Sequence, residues 1–377
     1  MYTGHKDVDK KREAFFALVR VGLWEQDTQL LPVDGINYSE IYQLAEEQSV
    51  VGLIAAGIEH VKNVKVPHEI ALNFGGTALQ LEQQNIAMNK FIACLIGKLR
   101  EVDTYTLLVK GQGIAQCYER PLWRTCGDVD FLLSKDNYNK AKKILLPLAT
   151  ATEEEYKHEQ HFGMTIDNWG VELHGSLRCG LSRRIDKALD EIQNDIFFGG
   201  SVRSWMNDKT QVFMPGINED IVFVFTHFLQ HFYKGGLGIR QICDWCRLLW
   251  TYKDTLNHEQ LESRIRKMGL MKEWKAFGVF AVDYLGMPSE TMPMYAPDDK
   301  WKRKADKICD FIMEVGNMGY NRDISYFEKY PYLIRKVCSM GRRCGDVIRH
   351  VQIFPLDSLR FFPYIMFNGI RSAIRGE

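Results

Sequence analysis

Apolar positions along this chain follow two periods. Over most of its length they recur every three or four residues, the spacing of helices buried along one side. "REAFFALVRVGLW" and "YSEIYQLAEEQSVVGLIAAGIEHV" read this way, the second opened by a capping Ser39. A third run, "EIALNFGGTALQLEQQNIAMNKFIACLIGKLREV", is long, and its Gly75-Gly76 pair predicts a break or kink. Near Tyr105 the texture shifts to short aliphatic runs. "YTLLVKG" and "DVDFLL" read as buried strands with a helical "GIAQCYE" between them. "DNYNKAKKILLPL" reads as an amphipathic helix capped by Ser134 or Asp136. "HFGMTI", the turn "DNWG" and "VELHGSL" predict a hairpin. Beyond Pro215 helical spacing returns, from "NEDIVFVFTHFLQHFYKGG" through "IRQICDWCRLLW" and "NHEQLESRIRKMGLMKEWKAFGVFAVDYLG" to "DDKWKRKADKICDFIMEVG". The expected fold class is α+β, a small mixed β-sheet held between helical segments. The expected division is a helical region over 1–100, an α/β core over 101–215 and a helical domain over 216–377.

Composition narrows the classes of function. Lysine plus arginine equals aspartate plus glutamate, 48 each, so no global field draws a polyanion, and a nucleic-acid site would have to be a local patch. Nine cysteines without regular spacing do not form a disulfide framework, and Cys243 and Cys246 read as packing within a helix. No stretch has the length and apolarity of a membrane span, and the N-terminus lacks the pattern of a secretory signal, so a cytoplasmic location is expected. The stretch after Tyr330 is basic and aromatic, with Arg335, Lys336, Arg342, Arg343, Arg349 and Arg360 outnumbering Asp346 and Asp357. Such runs are most often solvated surface.

Candidate chemistry concentrates in "RTCGDVDFLL". Strand side chains alternate, so Asp128 and Asp130 share a face while Val129 and Phe131 point the other way. Two carboxylates side by side repel, and a divalent cation converts that repulsion into coordination. In "GVELHGSL", Glu172 and His174 also share a face, and Glu172 can supply a third carboxylate. Three acids can hold two metals, the arrangement that clamps the attacking and leaving oxygens of a phosphoryl displacement. Lys110 ends the "TLLVKG" strand before Gly111 and Gly113, where backbone N–H groups can approach phosphate. His174 reads equally as a semi-buried histidine or as a partner behind the metal carboxylates. His227 and His231 share a helix face without a third ligand at zinc spacing, and His158 and His161 fall in a polar loop.

The stretch "LLVKGQGIAQCYERPLWRTCGDVDFLL" resembles the signature of a bacterial family of uncharacterised nucleotidyltransferases within the DNA polymerase β-like superfamily. The matching features are Lys110-Gly111, Tyr118, Arg124 and Gly127-Asp128-Val129-Asp130. "VELHGSL" is similar to the family's acid-x-His strand, and "HFLQHF" with "IRQICDWCRLL" to its helical region. The resemblance implies that Asp128, Asp130 and Glu172 are catalytic and bind magnesium, with manganese as an alternative, Glu172 also helping to deprotonate the acceptor. It implies that Lys110, Gly111, Gly113 and Arg124 bind the nucleotide, and that an NMP passes from an NTP donor to an acceptor with release of pyrophosphate. The acceptor, whether small molecule, glycan precursor, RNA or protein, is left open. One departure stands out: "KGQG" replaces the superfamily's usual glycine-serine turn, which removes a hydroxyl contact to phosphate. A catalytically degenerate nucleotide- or partner-binding protein of the same fold is therefore the alternative.

Overall fold

The computed structural model describes residues 3–27, 36–62, 66–156, 160–322 and 330–375. Helices α1 (Thr3–Trp24), α2 (Tyr38–Glu47), α3 (Val51–His60) and α4 (His68–Arg100) lead into the sheet. The run expected to be one helix from Ser39 is two, because Ser49 adopts a left-handed φ of 57° between α2 and α3. Asn37, not Ser39, caps α2, its side chain accepting from the N–H groups of Ser39 and Glu40. α1 and α3 cross with their backbones nearly touching: a Cβ on Gly22 would lie 1.8 Å from the Leu53 carbonyl oxygen.

The expected break at Gly75-Gly76 does not occur. Both glycines face open space, so no side chain wedges into the helical hydrogen bonds. The two ends of α4 are held by different neighbours. Phe74 sits edge-on to Tyr42 of α2, while Met88, Ile92, Leu95 and Leu99 lie in the core beneath the sheet.

The strands are β1 (Leu107–Val109), β2 (Asp128–Leu132), β3 (Ala151–Thr152), β4 (His161–Ile166), β5 (Trp169–His174), β6 (Val202–Asn207) and β7 (Thr210–Pro215). They form one sheet in the order β3-β4-β5-β2-β1-β7-β6. β2–β5 and β1–β7 pair in parallel and the other neighbours are antiparallel, so the sheet is mixed. The expected β4–β5 hairpin turns at Asp167 and Asn168, both with positive φ, as a twist-matched two-residue turn requires. α5 (Gly111–Ala115) follows β1, and α6 (Lys135–Leu145) follows β2, capped by Ser134. α7 (Arg183–Phe197) and the β6–β7 hairpin went unread in the sequence. β6 is an edge strand that is mostly exposed and shows little apolar alternation.

The two faces of the sheet have opposite characters. Val129, Phe131, Met164, Val171, Leu173 and Val212 form a dry core with α4 and α6. On the other face, Leu107, Val109 and Leu132 join a larger core with α8 (Ile217–Lys234) and α9 (Ile239–Thr251). Then come α10 (His258–Met268), α11 (Met271–Asp283), α12 (Asp299–Val315), α13 (Tyr332–Ile353) and α14 (Pro355–Arg375). α10 and α11 divide at Gly269, whose left-handed φ of 78° ends the helix. The helices before and after the sheet share one interior: Phe16 of α1 meets Phe280 and Tyr284 of α11 at ring-centroid distances of 6.1 and 5.1 Å. Cys243 and Cys246 are buried free thiols of α9.

Candidate active site

Register assembles the acids. β2 lies between β1 and β5, so Asp130 pairs with Val109 on one side and Glu172 on the other. Alternation sends Val129 and Phe131 into the dry core and leaves Asp128, Asp130, Glu172 and His174 on the opposite face. Carboxylate oxygens of Asp128, Asp130 and Glu172 come within 4.8 Å of one another. Asp130 is almost fully buried.

Lys110 at the end of β1 has φ 58° and ψ −147°, a region that glycine normally occupies. Its Nζ lies 2.7 Å from Asp130 Oδ1. Gly111 has φ 42°, and a Cβ there would sit 3.3 Å from Cys126 Sγ and 3.4 Å from the Asp128 carbonyl oxygen. The glycine lets α5 start directly against β2. Gly113 serves packing, since a Cβ would fall 2.9 Å from Met214 Sδ. Gln112 turns away from the acids and donates to Asn85 Oδ1 of α4 at 2.6 Å.

Histidines complete the lining. His174 Nε2 lies 2.8 Å from Asp130 Oδ1 and 3.2 Å from Glu172 Oε2. His161 Nε2 lies 3.1 Å from the same Glu172 oxygen. The loop expected around His161 is in fact the start of β4, directly opposite His174, so the ring shares the acids' face. His158 lies outside the described residues. From α8, His227 Nε2 approaches Lys110 Nζ at 3.3 Å, and His231 Nε2 approaches His227 Nε2 at 3.3 Å. Lys110, His161, Glu172, His174, His227 and His231 line a cleft of about 180 Å³.

The charges interact strongly. The negative charge of Asp130, with burial second, raises the pKa of Asp128. Burial alone would raise Glu172 as well, but hydrogen bonds from His161 and His174 and the charge of Lys110 outweigh it and hold the carboxylate ionised. Burial works against the charged form of His174, yet its bonds to Asp130 and Glu172 raise its pKa. Burial and the neighbouring Lys110 hold His227 well below the ordinary imidazole range and push His231 down to about 4. The cleft thus sets the Glu172 carboxylate and the Lys110 ammonium against the neutral imidazoles of His227 and His231.

Arg124 does not join this group. It is buried with its guanidinium on Asp244 of α9, Nε to Oδ1 at 2.8 Å and Nη2 to Oδ2 at 2.7 Å. Tyr118 donates to the same carboxylate at 2.8 Å. A nearby aspartate on a helix outcompetes an exposed position for a planar fork of donors. Arg240 of α9 acts on the acids instead: its charge lowers the pKa of Asp128, its Nη1 donates to the Thr125 carbonyl at 3.1 Å, and its buried Nε has no hydrogen-bond partner among the described residues. Sequence reasoning missed Arg240, His161 and Asp244. Arg240 and Asp244 carried no signal beyond membership of an amphipathic helix, whereas His161 could have been found as the first residue of the quoted strand "HFGMTI".

A mixed sheet that gathers three carboxylates and a strand-end lysine on one face is compatible with the class of phosphoryl-transfer proteins. Comparison with known proteins agrees. A family model described as "Uncharacterised nucleotidyltransferase" matches residues 34–286, and the chain belongs to that family. No curated protein and no solved structure matches the chain.

Proposed function

We propose that the chain moves an NMP from an NTP to an acceptor, with Asp128, Asp130 and Glu172 holding divalent magnesium or manganese. The observation that carries this reading is the convergence of three carboxylates within 4.8 Å on one sheet face beside Lys110. The donor set fits such an ion: it is all oxygen, and mutual repulsion already raises Asp128. When bound, the ion would neutralise charge on the phosphates. The acceptor hydroxyl loses its proton to solvent as its oxygen attacks the α-phosphorus, the α–β anhydride bond breaks, and pyrophosphate leaves with that electron pair. Lys110 and Arg240 are the cations available to the triphosphate. Glu172, held ionised by two imidazoles, suits ligand duty better than proton abstraction.

A second reading, binding of nucleotide without turnover, draws support from Asp130, which is 1% exposed and already held by Lys110 and His174. One experiment separates the two. Thermal shift with each NTP, with and without magnesium or manganese, is run beside transfer of labelled nucleotide in a cell extract. Metal-dependent stabilisation with labelled product, both lost in Asp128→Asn, is expected. Stabilisation without product supports the binding protein. Normal transfer by Asp128→Asn overturns the metal-site reading.

A further inference from the structure

Two strands beside the acids carry a second set of donors, different in chemistry from the three carboxylates. His161 opens β4 and His174 closes β5, and the antiparallel register sets them directly opposite each other. Glu172, two residues before His174, projects from the same face. An imidazole nitrogen from each histidine and a Glu172 carboxylate oxygen all lie within 4.8 Å of one another.

The spacing is that of ligands around an ion. His161 Nε2 and His174 Nε2 stand 3.1 and 3.2 Å from Glu172 Oε2. Ligands held about 2.0–2.2 Å from zinc, at tetrahedral or octahedral angles, stand roughly 2.8–3.6 Å from their neighbours. The two rings lie with centroids 4.7 Å apart and planes inclined by 45°, and both nitrogens converge on the one oxygen. All three side chains line the cleft, which leaves room for a water or a substrate oxygen to complete the coordination.

Donor type separates this set from the first. Magnesium takes oxygen ligands, whereas imidazole nitrogen suits zinc and its first-row neighbours. Two histidines and a glutamate with open positions beside them form a donor set that such metals accept. The competing account is an ion-pair network, since His174 Nε2 also lies 2.8 Å from Asp130 Oδ1. A network that only balanced Asp130 would need Lys110 and His174. It would leave His161 without a role, because β5 separates its strand from the one that carries Asp130. A nitrogen that ligates a metal has no proton to donate. An ion here would therefore take His174 away from Asp130 and leave that carboxylate to Lys110.

We propose that His161, Glu172 and His174 form a site for a divalent transition metal of the zinc class, joined to the three-carboxylate site through Glu172. The proposal does not rest on the nucleotidyl-transfer reading, because metal binding is measured without nucleotide. The test is titration of the chelator-stripped full chain with zinc, in competition with a chromogenic zinc indicator. Saturable binding is expected for the parent and, undiminished, for Asp128→Asn, which alters the three-carboxylate site alone. His161→Ala removes a partly exposed ring and is expected to bind zinc at least about tenfold more weakly while its unfolding midpoint is kept. Should His161→Ala unfold, His161→Gln makes the same comparison. A parent without saturable binding, or a His161 variant that binds like the parent, overturns the proposal. So does a loss in Asp128→Asn as large as in the His161 variant, which would place the ion among the three carboxylates.

Discussion

Replacing Asp244 with alanine would leave the Arg124 guanidinium buried without a counter-charge. Arg124 and Asp244 side chains are 3 and 5% exposed, and two bonds of 2.8 and 2.7 Å join them. Breaking such a pair by removing one partner costs about 3–5 kcal/mol, because a desolvated charge remains behind. That is a large part of the roughly 5–15 kcal/mol that holds a typical protein folded. Arg124→Met leaves Asp244 with the Tyr118 hydroxyl and the charge of Arg240, and should cost less than removing Asp244. Arg124→Met/Asp244→Leu removes both charges and should cost well under the sum of the singles, a coupling of about 2 kcal/mol or more. Urea unfolding near neutral pH measures all four proteins, with unchanged slopes showing that the comparison is fair. The reasoning fails if Arg124→Met unfolds like the parent and yet loses nucleotide binding, since the arginine would then serve the ligand and not the fold.

Two further outcomes can be measured. Glu273 is fully buried and has its pKa pushed from an ordinary 4.5 to about 8, first by burial and then by Asp357. The folded chain holds this proton more tightly than the unfolded one, so the contribution of Glu273 to stability is complete below about pH 4.5 and is lost as pH climbs toward 8. At about 1.4 kcal/mol per pH unit the loss is on the order of 4–5 kcal/mol at most. Glu273→Gln should flatten that slope in unfolding experiments at about pH 5 and about pH 9, and an unchanged slope would place the linkage elsewhere. Lys110→Met leaves buried Asp130 with His174 alone and should cost about 1–3 kcal/mol. If the acids bind a divalent ion, magnesium should stabilise this variant more than the parent, and an equal or smaller shift would count against the site.

The site was half legible from the chain. Asp128 with Asp130, and separately Glu172 with His174, could each be placed on one face of its own strand because strand side chains alternate whatever the strand packs against. Lys110 was legible as a strand-end lysine, although its backbone in a glycine region was not. Arg124 was read as facing phosphate through the family resemblance of its motif. Its partner, Asp244, is 120 residues away, and no local pattern reports such a pairing. Arg240 reaches the acids from that same distant helix.

By itself the sequence determined much of the local order: most of the runs that are helix or strand, and that Asp128 and Asp130 share a face. Those outcomes depend on period and side-chain chemistry within a few residues. Tertiary structure decided the rest. Strand order put Glu172 beside Asp130, α9 turned Arg124 inward, and α8 brought His227 to Lys110. Each of these brings together residues far apart in the chain, and what selects them is burial of the whole core and the need of every buried charge for a partner.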